Sequence, residues 1–153
     1  MDQEIAVPRT LQVGDSHQVD LPMRWGDADS LNHMNNTAYF RLMEEARMQM
    51  LYDSNGERVL PLEQGFILAH ASCDFVRSFT YPCQVRVTHT VTRVGRSSLE
   101  TEVILGKVGD DSGPYARART VMVWIEYASG SSVPLPANVL QALAAKCAPV
   151  APV

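Results

Sequence analysis

Strict period-two patterning constrains this chain more than any other feature. Val85, Val87, His89 and Val91 alternate with Arg86, Thr88, Thr90 and Thr92. Leu99, Thr101, Val103 and Leu105 make a second run, and Val121, Val123 and Ile125 a third. Successive side chains of a strand point to opposite faces, so this spacing predicts strands with one buried face. Two more strands are expected around residues 16–23 and 67–79, the second carrying Phe75 and Phe79 with Arg77 between them. Gly95-Arg96 reads as a two-residue hairpin loop, because glycine readily takes the positive φ of such turns. Gly109-Asp110-Asp111-Ser112-Gly113 reads as a longer turn.

One helical pattern interrupts the strands. From Thr37 to about Tyr52, residues Tyr39, Leu42, Met43, Ala46 and Met50 fall on one stripe. Phe40, Met48 and Leu51 lie off it, which predicts a helix whose flanks are buried by a sheet curling around it. Asn35 or Asn36 supplies the N-cap. A shorter helix is expected over residues 136–146. The order is strand, long helix, four strands in meander, terminal helix, and short loops imply antiparallel neighbours. The fold class is therefore α+β, an antiparallel sheet around one long central helix.

At 153 residues the chain makes a single domain, 1–153, with loose termini at about 1–10 and 147–153. A net charge of −4 argues against nucleic acid or an anionic membrane surface as partner. The start Met1-Asp2-Gln3-Glu4 lacks the features of a signal peptide, and no apolar run approaches the ~18–20 residues that span a bilayer. Three cysteines with no close pair suit reduced thiols. Together these features predict a cytoplasmic protein without membrane contact.

The chemistry concentrates in residues 24–36. Asp27, Asp29, Asn32, His33, Asn35 and Asn36 lie between a strand end and a helix start. A carboxylate beside a helix N-terminus is a competent pair: one group attacks or activates water, the other polarises a carbonyl. Asp-x-Asp followed by asparagines also makes ordinary turns and caps, so residue types alone leave both readings open. Arg93-Val94-Gly95-Arg96-Ser97-Ser98 is a second candidate, since two arginines and two hydroxyls suit phosphate groups. It also suits a solvated hairpin tip. No P-loop, GxGxxG or nucleophile elbow is present.

Gly26-Asp27-Ala28-Asp29, His33-Met34-Asn35-Asn36, Tyr39-Phe40-Arg41 and Glu44-Glu45-Ala46-Arg47 resemble the signature of the hotdog-fold 4-hydroxybenzoyl-CoA thioesterase family. The likeness is specific over residues 22–52 and extends loosely, as strand order, to about residue 126. It implies a hotdog fold and hydrolysis of an acyl-CoA thioester without metal or other cofactor. It makes Asp29 the catalytic carboxylate and places the polarising N–H, seven residues on, at Asn36. Other branches of the family carry a different residue type there, which leaves His33 a candidate for a share of that role. The resemblance also sets the nucleotide along Arg93, Arg96, Ser97 and Ser98, with Arg117 and Arg119 on the following strands. For the acyl group, Tyr39, Phe40, Met43 and Phe75 are apolar enough to meet aryl or aliphatic chains alike. Family members dimerise into one continuous sheet, so a homodimer or homotetramer is expected.

Asp27 is read as structural, bonded to loop N–H groups. His33 is read either as holding Asp29 or a water, or as packing under the loop. Glu44 is a candidate partner for Arg41. Alternatives are a hotdog enoyl-CoA hydratase or dehydratase using Asp29 with His33, a non-catalytic acyl-CoA-binding protein, and a metal site of Asp27, Asp29 and His33.

Overall fold

A computed structural model describes residues 7–51 and 60–150. Its elements are β1 (Ser16–Pro22), α1 (Asn36–Gln49), β2 (Gln64–Phe75), β3 (Gln84–Val94), β4 (Ser98–Lys107), β5 (Ala116–Glu126) and α2 (Ala137–Lys146). The five strands form one antiparallel sheet in the order β1-β3-β4-β5-β2. This is the expected α+β architecture, with one correction to the meander. Only β3, β4 and β5 follow one another across the sheet; β2 pairs with β5 at the far edge. The connection over residues 76–83 permits this, because it is long enough to pass from the β2 edge across β5 and β4 to β3. Its Phe79 is fully buried and stacks on Tyr115 at 4.6 Å, so that residue belongs to the crossing and not to a strand.

In β3 and β4 the inward parity is the one the spacing predicts, and it packs toward the apolar stripe of α1. In β5 the expected face is reversed: Ala116, Ala118, Thr120, Met122 and Trp124 are buried while Val121 and Val123 are half-buried, because the run from Val121 to Ile125 is apolar at both parities. Tyr39, Leu42, Met43, Ala46 and Met50 are all buried, as the spacing predicts. Asn35 is the cap: its Oδ1 accepts from the Thr37 N–H at 3.0 Å. The helix ends at Gln49, and Tyr52 lies outside the described residues. The flanks are not enclosed, however. Phe40 and Met48 remain 38% and 37% exposed, because the sheet ends at β2 and leaves that side of α1 open.

Three local expectations change. The β3–β4 hairpin has three loop residues, 95–97, and a β-carbon at Gly95 would meet Ser98 Oγ, so a side chain there would have to turn that hydroxyl aside. Arg9 is not loose: it donates to Asp15 Oδ2 at 2.7 Å and to the carbonyls of Ala144 and Cys147 at 2.5 and 3.1 Å. It thereby adds a second donor to the Ala144 carbonyl, which also accepts from the Cys147 N–H at 3.1 Å, and covers the Cys147 carbonyl at the end of α2. Ala148 exchanges backbone bonds with Ser16 at 3.0 and 2.7 Å, so the chain is tied to β1 at that residue as well. Among the described residues, no helix is long and apolar enough to cross a membrane.

Candidate active site

The segment between β1 and α1 is built by short-range bonds. Asp29 Oδ1 accepts from the Leu31 and His33 N–H groups at 2.9 and 3.0 Å. The Asp29 N–H donates to the His33 carbonyl at 2.8 Å, and Asn32 N–H to the Asp29 carbonyl at 3.1 Å. Asn32 takes φ 56°, a left-handed conformation that asparagine tolerates better than most residues. The loop thus folds around one carboxylate. Bonds from the His33 and then the Leu31 N–H hold the Asp29 pKa below the usual carboxylate value, with the His33 charge adding a smaller push. Donors aimed at Oδ1 favour the ionised form. Among the described residues none donates to Oδ2, which leaves that oxygen free on an exposed side chain.

Asp27 does a different job. It is buried, and its Oδ2 accepts from the Arg24 N–H at 2.8 Å and from Arg41 at 2.7 Å. Its carbonyl takes the Asn35 N–H at 2.7 Å, which ties the loop to the helix cap. Arg41 therefore turns to Asp27, and to Glu45 at 3.5 Å, leaving Glu44 elsewhere. His33 does not pack under the loop; it is exposed, and its bonds to Asp29 come from its backbone.

Asn36 opens α1, and among the described residues none accepts from its N–H. A first-turn N–H has no partner within a helix and carries the positive end of the helix dipole. Two hollows adjoin here and share Gly26. One, about 500 Å³, is lined by Trp25, Asp29, Asn32 and Tyr81; the other, about 420 Å³, by Asp27, Asn35, Thr37 and Arg41. Trp25, Tyr81 and Arg41 are additions to the sequence-derived site. Exposed Trp25 beside Gly26-Asp27 was legible as a loop aromatic, whereas Tyr81 arrives from the 76–83 crossing, its N–H reaching Asn32 Oδ1 at 3.3 Å.

The remaining predicted residues are not brought to Asp29 within one chain. Asp29 follows β1, whose last residue Pro22 faces Gln84 at the start of β3. Arg93, Arg96, Ser97 and Ser98 lie around the other end of β3, roughly 30 Å away at ~3.3 Å per strand residue. There the Ser97 carbonyl accepts from Trp124 N–H at 2.7 Å and the Arg96 carbonyl from Leu135 N–H at 2.8 Å, while Arg93 and Arg96 stay exposed. Tyr39 is a core residue, not an open wall. It sits edge-on to Phe75 at 4.8 Å and tilted against Phe79 at 5.7 Å, with its hydroxyl donating to the Arg77 carbonyl at 3.5 Å.

A family model described as the thioesterase-like superfamily matches residues 23–143. The chain belongs to this superfamily. Among solved structures, it is 32% identical to the PA2801 protein of Pseudomonas aeruginosa, a proposed thioesterase, over 78% of this chain and 92% of that one, with a TM-score of 0.72. It is 29% identical to the PA5185 protein of the same organism, covering 84% and 90%, with a TM-score of 0.75. It is 27% identical to a Thermus thermophilus thioesterase solved with coenzyme A and zinc, covering 83% and 96%, with a TM-score of 0.66. Comparison with curated proteins finds no match. The hotdog fold and a thioester-hydrolase activity follow from this membership.

Proposed function

We propose that the protein hydrolyses acyl-CoA thioesters with Asp29 as the catalytic carboxylate and the Asn36 N–H as the donor to the carbonyl oxygen. The observation that carries this reading is the state of Asp29: exposed, anchored through Oδ1 and, among the described residues, free at Oδ2, in the loop that leads into α1, whose Asn36 N–H has no acceptor among the described residues. Either Oδ2 attacks the thioester carbon, giving an acyl-aspartyl anhydride that water then cleaves to the free acid and the Asp29 carboxylate, or it takes the proton of a water that attacks the thioester directly. Charge that develops on the carbonyl oxygen would meet the first-turn N–H. CoA departs as a thiolate, which needs little acid assistance, and no metal or cofactor enters the step. The hydratase alternative needs an imidazole paired with Asp29, and His33 meets that residue through its backbone instead.

A homodimer completes the site in this reading. β2 is a free edge that leaves Ile67, Leu68 and Phe75 well exposed, next to the open flank of α1 with Phe40 and Met48. Long apolar edges invite pairing. Two copies of one edge strand related by a two-fold axis pair antiparallel. Because β2 runs from the hairpin end of the sheet to the Asp29 end, such pairing sets Asp29 of one copy at the Arg93–Ser98 end of the other. The second copy's Arg93, Arg96, Ser97 and Ser98 would then be available to the CoA phosphates.

The test is a panel of acyl-CoA substrates followed by thiol release, with a no-substrate blank for the three cysteines. At least one should be hydrolysed, with or without chelator. Asp29→Asn keeps the Oδ1 acceptor and should stay folded while losing ~10²-fold or more in turnover. Near-normal turnover in that variant would refute the assignment.

A further inference from the structure

An apolar cavity of about 270 Å³ lies at the hairpin end of the molecule, away from the Asp29 loop of the same chain. Its rim is formed by Met48 of α1 and Leu68 of β2, and its depth by Phe66, Met122 and Leu143. The charged residues in its wall are Glu44 and Arg47. Burial lowers the Arg47 pKa, and Glu44 partly offsets that; among the described residues Arg47 makes no ion pair. The floor is α2, which Arg9 pins by its carbonyls while Asp15, itself buried, holds the guanidinium. A cavity left open under a helix clamped in this way is not a gap that the surrounding chain is free to close.

We infer that this cavity takes the end of an unbranched aliphatic acyl chain, and that Leu143 sets the chain length the enzyme accepts. The inference rests on the proposed acyl-CoA activity and names its substrate class. Three features point to an alkyl chain. Phe66, Met122 and Leu143 offer only apolar side-chain atoms at the depth, and the two charged residues of the lining, Glu44 and Arg47, both stand on the α1 wall. Methionine is flexible and unbranched, so Met48 and Met122 adapt to a flexible chain better than they define a slot for a planar ring. The volume suits about nine methylenes at the ~30 Å³ that a water-sized group occupies. Position supports the same assignment. Along its own chain the rim residue Met48 lies ~18 Å from Asn36, twelve residues at ~1.5 Å each. An edge-to-edge dimer through β2 instead brings the second copy's Asp29 to this end of the sheet, so a medium-length chain reaches from that thioester into the cavity.

The experiment uses cavity-filling variants of the intact protein. Leu143→Trp and, separately, Met122→Phe extend side chains into the void and should keep the melting temperature at or above that of the wild type. The measured quantity is the ratio of kcat/KM for dodecanoyl-CoA to that for butyryl-CoA. A buried methylene is worth about fourfold in affinity, so room lost for about two should lower the ratio roughly fifteenfold in Leu143→Trp. Dodecanoic acid binding to Asp29→Asn, read by calorimetry, should weaken in parallel when Leu143→Trp is added. Folded variants with an unchanged ratio would show the cavity to be a packing void and overturn the inference, while leaving the hydrolase reading intact. If no acyl-CoA is hydrolysed but dodecanoic acid binds and Leu143→Trp removes it, the mechanism fails and the cavity assignment stands. Absence of dodecanoic acid binding overturns the assignment itself.

Discussion

Acidification should destabilise this protein most strongly through His89. Its ring is 1% exposed, between the sheet and α1. Nε2 lies 3.3 Å from the Met43 carbonyl and Nδ1 3.1 Å from Thr101 Oγ1, which in turn lies 2.7 Å from Thr120 Oγ1. A carbonyl only accepts, so Nε2 carries the proton and Nδ1 accepts from Thr101, whose oxygen accepts from Thr120. A second proton on Nδ1 forces Thr101 to turn its hydrogen onto Thr120, and charges a buried ring. Desolvation first, and then the Arg47 charge, lower the His89 pKa from 6.5 to about 4. The unfolded chain therefore binds a proton that the folded one refuses between those values. Stability is complete above about pH 6.5 and falls as pH drops toward 4. A roughly 300-fold change in proton affinity corresponds to about 3 kcal/mol, a large share of a typical 5–15 kcal/mol. His89→Gln offers a similar shape without titrating. Urea midpoints from pH 7.5 to 4.5 should fall more steeply in the wild type, and the gap between the two slopes isolates His89 from His17, whose pKa burial and Lys146 also lower. Equal slopes in the two proteins would refute the reasoning.

Three further outcomes follow from the geometry. Asn36→Pro should fold, because proline is tolerated at the first helical position and Asn35 already has extended backbone. It deletes the proposed donor and should cost ~10²–10³ in kcat, while Asn36→Ala stays near normal; equal turnover in both would remove the backbone N–H from the mechanism. Asp27→Asn weakens the pair with Arg41 and should act on melting temperature before turnover, by ~1–3 kcal/mol; the reverse order would show the two acids to be misassigned. Arg9→Ala strands the buried Asp15 carboxylate and frees the end of α2, so thermal unfolding should occur earlier by ~1–3 kcal/mol, reduced from a fully buried pair because Arg9 is 36% exposed. An unchanged melting temperature would mean that α2 is held by its apolar face alone.

The alternation of residues 85–91 and 99–105 determined β3 and β4, because side-chain parity in a strand is a local property. The stripe from Tyr39 to Met50 determined which face of α1 is buried, for the same reason at a helical period. The loop was also legible: the bonds that shape it join residues two to four apart, so Asp29, His33 and the Asn35 cap could be read from neighbours. The far placement of β2 could not, since a pairing between Gln64 and Glu126 depends on where the 76–83 crossing leads and not on the strand's own pattern. Nor could the Asp27–Arg41 pair, formed across a loop and a helical turn. The separation of Arg93–Ser98 from Asp29 and the cavity under α2 are tertiary facts of the same sort. Periodicity assigned the faces of β3, β4 and α1 but not that of β5, whose run from Val121 to Ile125 is apolar at both parities; the neighbours those faces meet are set by packing all the elements at once.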